Sequence, residues 1–187
     1  YGNTDDETSI SLANRNPADR AEIHLTFTDP ALNIDPTTAD KWIFDLDDNS
    51  GGASATTVIF GNNGTNAVLS AAELGEMGCE DNCVLYSNVE TELSSGAGTV
   101  SAVTMTESGA NTGVFESFDI NGNGQFETES DAAADKQTIF YYGGNSVDMI
   151  ITYNDAEITM DAGGDWSPGQ TATISVNDPD ANRNPTS

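Results

Sequence analysis

Two stretches of the chain, 149 residues apart, follow one layout, and that repetition limits the fold more than any other feature of the sequence. Shifting the N-terminal stretch by 149 places Leu25, Phe27, Asp29, Pro30, Asn33, Pro36 and Thr37 over Ile174, Val176, Asp178, Pro179, Asn182, Pro185 and Thr186. The preceding strand aligns too, Ile10 over Ile158 and Leu12 over Met160, with a one-residue slip in the turn. Two strands, a turn and a D-P-x-x-N-x-[DN]-P loop therefore occur twice, and self-similarity at a fixed offset is how a repeated structural unit shows itself. The spacing divides the chain into one unit over residues 1–155 and, over 156–187, the opening hairpin of a second unit. A lone two-stranded hairpin is marginal in water. The second hairpin is expected to begin a further module of a longer tandem chain, or to complete a sheet in a neighbouring molecule.

Within the repeat, Ile23, Leu25 and Phe27 alternate with His24, Thr26 and Thr28, the period of a half-buried strand. On this pattern His24 faces solvent. Similar runs are 8–12, 41–46, 56–60, 84–86, 99–105, 113–118, 138–142, 147–153, 156–160 and 171–176, punctuated by Gly, Asn, Asp and Pro. The one helical candidate is 70–77, a turn or two behind a serine cap. Many short strands with few helices predict an all-β fold, an antiparallel β-sandwich. The chain opens at Tyr1 without a leader-like segment and is expected to be a mature or excised piece of something longer.

Of 187 residues, 31 are acidic and 5 basic, a net charge of −26. The bases (Arg15, Arg20, Lys41, Lys136 and Arg183) are scattered, whereas phosphate binding needs them clustered. Nucleic acid and anionic membrane surfaces are therefore excluded as partners, and cations are the species such a surface attracts. No apolar run reaches the ~18 residues that span a bilayer. Cys79 and Cys83 in C-E-D-N-C lack the further ligands of a zinc site and the spacing of a redox C-x-x-C. A small disulfide-closed loop in an oxidising, extracellular setting fits them, with two free thiols as the alternative. Asn63-Gly64-Thr65 is a glycosylation sequon that suits the same setting.

The sharpest local motif runs from Asp119 through Asn121, Asn123 and Gln125 to Glu127. Oxygens at positions 1, 3 and 5, Gly124 at the bend and the carbonyl of Gln125 resemble a calcium-binding loop, Phe126 anchoring it to the core. Ser130 stands where the last ligand should be, between Glu129 and Asp131, so Asp131 completes the candidate set loosely. An ordinary Asn-Gly hairpin is the competing reading. A second cluster is Asp45, Asp47, Asp48 and Asn49, either a cation loop or a solvated acidic turn. The repeated loops, with Asp29, Asn33 and Asp35 and then Asp178, Asp180, Asn182 and Asn184, offer oxygens stiffened by prolines where one unit meets the next. Asx-turn capping explains them equally well. Ca²⁺ is the cofactor these patterns suggest.

Enzyme readings find little support. His24 is the only histidine, and no nucleophile elbow, phosphate loop or dinucleotide fingerprint occurs. Trp42, Trp166, Tyr141 and Tyr142 could form a sugar-stacking face, but Trp42 lies beside Ile43 and Phe44 in a core-like strand.

The strand endings T-D-P-A-L-N-I-D-P and N-D-P-D-A-N-R-N-P resemble the immunoglobulin-like repeats of archaeal surface-layer proteins, most of all the large acidic ones of marine ammonia-oxidising archaea. Thr106-Glu107-Ser108-Gly109-Ala110-Asn111-Thr112-Gly113-Val114-Phe115 is similar to their T-E-[ST]-G-x-[ND]-T-G-[VI]-F signature, while the middle of the chain (49–95) has no counterpart. The resemblance implies an immunoglobulin-like β-sandwich in a structural, calcium-dependent protein outside the cell. It would assemble with copies of itself into a surface layer or filament, by strand addition through 156–187 in one version. It also carries Asp29, Asn33 and Asp35 and their repeats Asp178, Asp180 and Asn182 over as cation ligands. The alternative is an adhesin or carbohydrate-binding module of a secreted or cell-surface protein.

Overall fold

A computed structural model of the chain describes residues 5–46, 58–62, 65–69, 83–88, 93–94, 102–161, 164 and 167–186. Among these residues the protein is all-β, with fourteen strands in antiparallel pairs and three single-turn 3-10 segments. The helix expected at 70–77 lies outside them. The strands are β1 Ser9–Leu12, β2 Leu25–Thr28, β3 Lys41–Asp45, β4 Val58–Asn62, β5 Thr65–Leu69, β6 Tyr86–Ser87 and β7 Leu93–Ser94. They continue with β8 Ala102–Glu107, β9 Val114–Glu116, β10 Glu127–Thr128, β11 Gln137–Tyr142, β12 Asn145–Ile150, β13 Glu157–Asp161 and β14 Thr173–Asn177.

Seven strands form the large sheet in the order β1-β2-β9-β8-β3-β4-β5, and β12-β11-β6 form a second sheet. Alternation decides which side chains meet between them. In β2, β8 and β11 every second residue is buried, because successive side chains on a strand point to opposite faces. Leu25, Phe27, Trp42, Phe44, Val103, Met105 and Phe115 from the large sheet pack with Phe140, Tyr142 and Met149 from the small one. The arrangement is consistent with a β-sandwich. Phe27 sits at its centre, stacked on Tyr142 (ring centroids 3.9 Å) and Phe115 (5.1 Å) and edge-on to Phe44 (5.7 Å). Trp42 is fully buried and its indole donates to the Leu32 carbonyl at 3.0 Å.

The pair β13–β14 forms a separate two-stranded sheet. Its register reproduces that of β1–β2: Ile10 faces Phe27 and Leu12 faces Leu25, as Ile158 faces Val176 and Met160 faces Ile174. The surroundings differ. Leu25 and Phe27 are buried and Ile10 and Leu12 pack against the core, whereas Ile158, Met160, Ile174 and Val176 are 57–71% exposed.

Candidate functional site

The two Asp-Pro loops are the same structure built twice. Asp29 precedes a 3-10 turn over Pro30–Leu32 and Asp178 one over Pro179–Ala181. Each aspartate has extended backbone (φ −155 and −137), and each side chain accepts from the N–H two residues on, Ala31 at 2.8 Å and Asp180 at 3.0 Å. Asn33 and Asn182 close the turns at nearly identical angles, φ −81 and ψ 92 against φ −82 and ψ 92. Proline supplies the fixed φ that a 3-10 turn needs at its start, and aspartate the acceptor for an orphan N–H.

Several of these side chains already have hydrogen-bond partners. Asp29 is buried, and its Oδ2 accepts from the Tyr142 hydroxyl at 2.7 Å and lies 3.2 Å from the Cys83 sulfur. Burial first, and then the Asp29 charge, push the Tyr142 hydroxyl well above its ordinary pKa. Asn33 donates to the Asn111 Oδ1 at 2.8 Å, and among the described residues its own Oδ1 is buried without a hydrogen-bond partner. Asp35 accepts from the Thr37 hydroxyl (2.6 Å) and N–H (2.9 Å), contacts that hold its carboxyl below the usual range. Asp180 accepts from the backbone and side-chain nitrogens of Asn154, both at 2.8 Å.

Behind the first loop stand two buried acids that the sequence reading did not single out. Asp40 Oδ2 accepts from the N–H groups of Ile34 (2.5 Å) and Asp35 (3.0 Å). Glu107 accepts from Thr112 N (2.7 Å) and Gly113 N (2.8 Å) through one oxygen and from Asp40 N (3.1 Å) through the other. Gly113, at φ +64, lets the chain cross the Asp-Pro turn closely: a Cβ there would stand 3.3 Å from the Pro30 Cα. In this way the T-E-S-G-x-N-T-G-V-F signature clamps the D-P-x-x-N loop. Its glutamate could have been suspected as buried only from the following turn, whose N–H groups need an acceptor.

The Asp119 loop forms a tight hairpin tip. Asp119 N–H bonds the Asn123 carbonyl at 3.0 Å, Gly122 N–H bonds the Asp119 carbonyl at 2.9 Å, and Phe118 bridges Gly124. The Asp119 carboxylate accepts from Asn121 N (2.8 Å), Asn123 N (2.9 Å) and Asn123 Nδ2 (2.9 Å). These bonds, those from Asn123 foremost, lower its pKa to about 2. The left-handed residue is Gly122 (φ +79), not Gly124. Gly124 is needed for closeness instead, since its N–H reaches Glu22 Oε2 at 2.8 Å and a Cβ would meet Glu22 and His24. Gln125 continues into the ladder by donating its N–H to the Ser117 carbonyl, and Phe126 is buried edge-on to Phe140. Glu127 lies on β10 opposite Ser94, and Asp131 in the exposed turn beyond.

Tested as a calcium cage, this loop fits poorly. Its carboxylate and the Asn123 amide are turned toward each other, when a cation would need both to present oxygens to one point. Among the described residues no three His, Cys, Asp or Glu side chains gather into a group that could hold a metal. Asp45 lies on β3 with its backbone opposite Ala102, and Asp47 and Asn49 fall outside the described residues, as do Asn63 and Trp166. Cys83 is disulfide-bonded; Cys79, the only other cysteine, lies outside the described residues.

His24 corrects the sequence reading, because it is buried rather than exposed. It stacks on Phe118 (4.5 Å, 14°), and its ring nitrogens meet Glu22 Oε2 and Thr186 Oγ1, each at 3.0 Å. Alternation did put it on the outer face of the strand, but the second Asp-Pro loop covers that face. Glu22 N–H bonds the Arg183 carbonyl at 2.7 Å, and Asn184 Nδ2 donates to the Gly122 carbonyl at 2.6 Å. The loop after the second hairpin is thus seated on Glu22, Gly122 and His24 through residues 183–186. No protein-family model matches the chain, and no curated protein matches it significantly.

Proposed function

We propose that the chain is a structural module of an extracellular assembly, an immunoglobulin-like repeat joined in tandem to units of its own kind in a surface layer or filament. The observation that carries this reading is the second hairpin. It has the register and loop geometry of the first, and its apolar face is exposed where the first one's is buried. Covering Ile158, Met160, Ile174 and Val176, which are 57–71% exposed, would contribute about 1–2 kcal/mol for each side chain, a strong drive to complete the unit. The seat of residues 183–186 on Glu22, Gly122 and His24 supports a fixed angle between successive units.

Calcium enters this reading through the net charge of −26 and the exposed acidic loops, and not through a formed cage. A divalent cation between two such surfaces would offset their repulsion. The carbohydrate-binding alternative loses its first platform residue, because Trp42 is buried. The deciding experiment follows assembly by light scattering and electron microscopy at low salt, with calcium and then with chelator. Ordered polymers that form with calcium and dissolve on chelation are expected. Assembly indifferent to chelator refutes the calcium part, and a chain that stays monomeric under all conditions refutes the assembly part.

A further inference from the structure

The strand that flanks the first hairpin has no counterpart beside the second among the described residues. In the first unit β2 is flanked by β9, with Thr26 opposite Glu116, Phe27 opposite Phe115 and Thr28 opposite Val114. The pairing runs on at both ends. Asp29 N–H bonds the Gly113 carbonyl at 2.8 Å, and the Ser117 hydroxyl accepts from Leu25 N and donates to the Ile23 carbonyl. Moved by 149 residues, these positions of the first hairpin become Ala172, Ile174, Ser175, Val176, Asn177 and Asp178. There β14 has β13 as its one strand partner among the described residues.

We infer that the free edge and apolar face of β14 form a docking site for an extended T-G-V-F-E-S strand carried by another unit of this repeat. The register is set: glutamate opposite Ser175, phenylalanine opposite Val176, valine opposite Asn177, and the glycine carbonyl on the Asp178 N–H. Glycine is demanded at that crossing. The turn after β14 repeats the angles of the turn after β2, against which any Cβ at Gly113 would stand 3.3 Å from the proline. The phenylalanine would cover Val176 and Ile174, now exposed. The site also continues a contact already formed, since the loop that ends it is seated on the first unit at Glu22, Gly122 and His24. Ladder bonds would supply affinity, and the glycine crossing with its aromatic neighbour specificity.

This site rests on the tandem-unit reading, and its test separates the two. The probe is a synthetic peptide of residues 108–118, titrated into the full isotope-labelled chain and followed by backbone amide shifts. Saturable shifts concentrated at 173–178 are expected. A Gly113→Ala peptide should bind about tenfold more weakly or worse, and Val176→Asp in the chain should abolish the response. No shifts at millimolar peptide, or equal binding of the alanine peptide, overturns the site. So does a dimer in light scattering that Val176→Asp dissociates while the peptide has no effect, since a second hairpin would then be the occupant. Ordered assembly that persists when the peptide fails overturns this site alone and leaves the tandem-unit reading standing.

Discussion

Replacing Glu107 by glutamine tests the claim that the acidic signature is an internal clamp. The side chain is 3% exposed and joins two segments at once: one oxygen holds Thr112 and Gly113, the other the Asp40 N–H. Glutamine has nearly the same shape but a single acceptor oxygen. In its best orientation the carbonyl keeps Thr112 and Gly113, and the amide nitrogen then meets the Asp40 N–H, donor against donor. One buried N–H left unsatisfied costs about 1–3 kcal/mol. The two retained bonds lose their charge assistance, which roughly halves them, so about 0.5–1 kcal/mol is lost from each. The sum is about 2–5 kcal/mol, and at about 2–4 °C per kcal/mol for a chain of this size Tm should fall by roughly 4–20 °C. Urea denaturation with an unchanged m value reads the same quantity at constant temperature. Glu157→Gln, on the exposed strand β13, is the control and should stay within about 0.5 kcal/mol. The Glu107 effect should be the same with calcium and with chelator. A loss below about 1 kcal/mol, or one that appears only in calcium, refutes the clamp.

Tyr142→Phe removes the donor from a buried carboxylate oxygen and should cost about 1.5–3 kcal/mol. In the native protein Tyr142 should stay protonated while exposed tyrosines ionise. Its raised pKa gives stability that is present below the unfolded value near 10 and lost as pH rises beyond it, so absorbance at 295 nm should show its ionisation only with alkaline unfolding. Asp119 has the opposite sign: its carboxyl is lowered from 3.8 to about 2, so its contribution is present above pH 4 and lost as pH falls toward 2. Asp119→Asn should flatten the acid limb of a stability–pH curve in that window. Asn184→Asp sets a carboxylate against the Gly122 carbonyl, now 2.6 Å from its amide. Hydrogen exchange at 183–186 should quicken by about tenfold or more with little change in Tm, because no core residue is touched.

Period-two alternation made most of the sandwich legible, since a half-buried strand must alternate. It failed where strands are too short to show a period, as at Leu93–Ser94 and Glu127–Thr128, and at Thr65–Leu69, whose polar start hides its pattern. The repeat was visible because both hairpins keep the same residue types at the places where backbone angles are constrained. What covers each copy was not visible. Asp29 reads as a solvent-facing turn residue until Tyr142, 113 positions away, delivers its hydroxyl. His24 reads as exposed until Thr186 arrives over it. In the Asp119 loop, spacing alone could not choose between a cage and a hairpin tip, because both place oxygens at alternate positions. In the structure the Asn123 amide turns its nitrogen to Asp119, beside the N–H groups that the tight turn leaves facing the same carboxylate.

The buried acids explain how a chain with five basic residues can fold with so much negative charge inside and out. Asp29, Asp40 and Glu107 are all buried, and each accepts hydrogen bonds from donors that its own surroundings supply. Backbone N–H groups and one tyrosine hydroxyl are among those donors. Backbone donors of this kind are fixed by the turns themselves, so chelator should leave these bonds largely untouched. The exposed carboxylates outnumber any partners of opposite charge. Their repulsion reaches about 8–10 Å at ordinary ionic strength. On the proposed assembly of units, a dependence on cations is expected to show in polymer formation before it shows in the melting of the single chain.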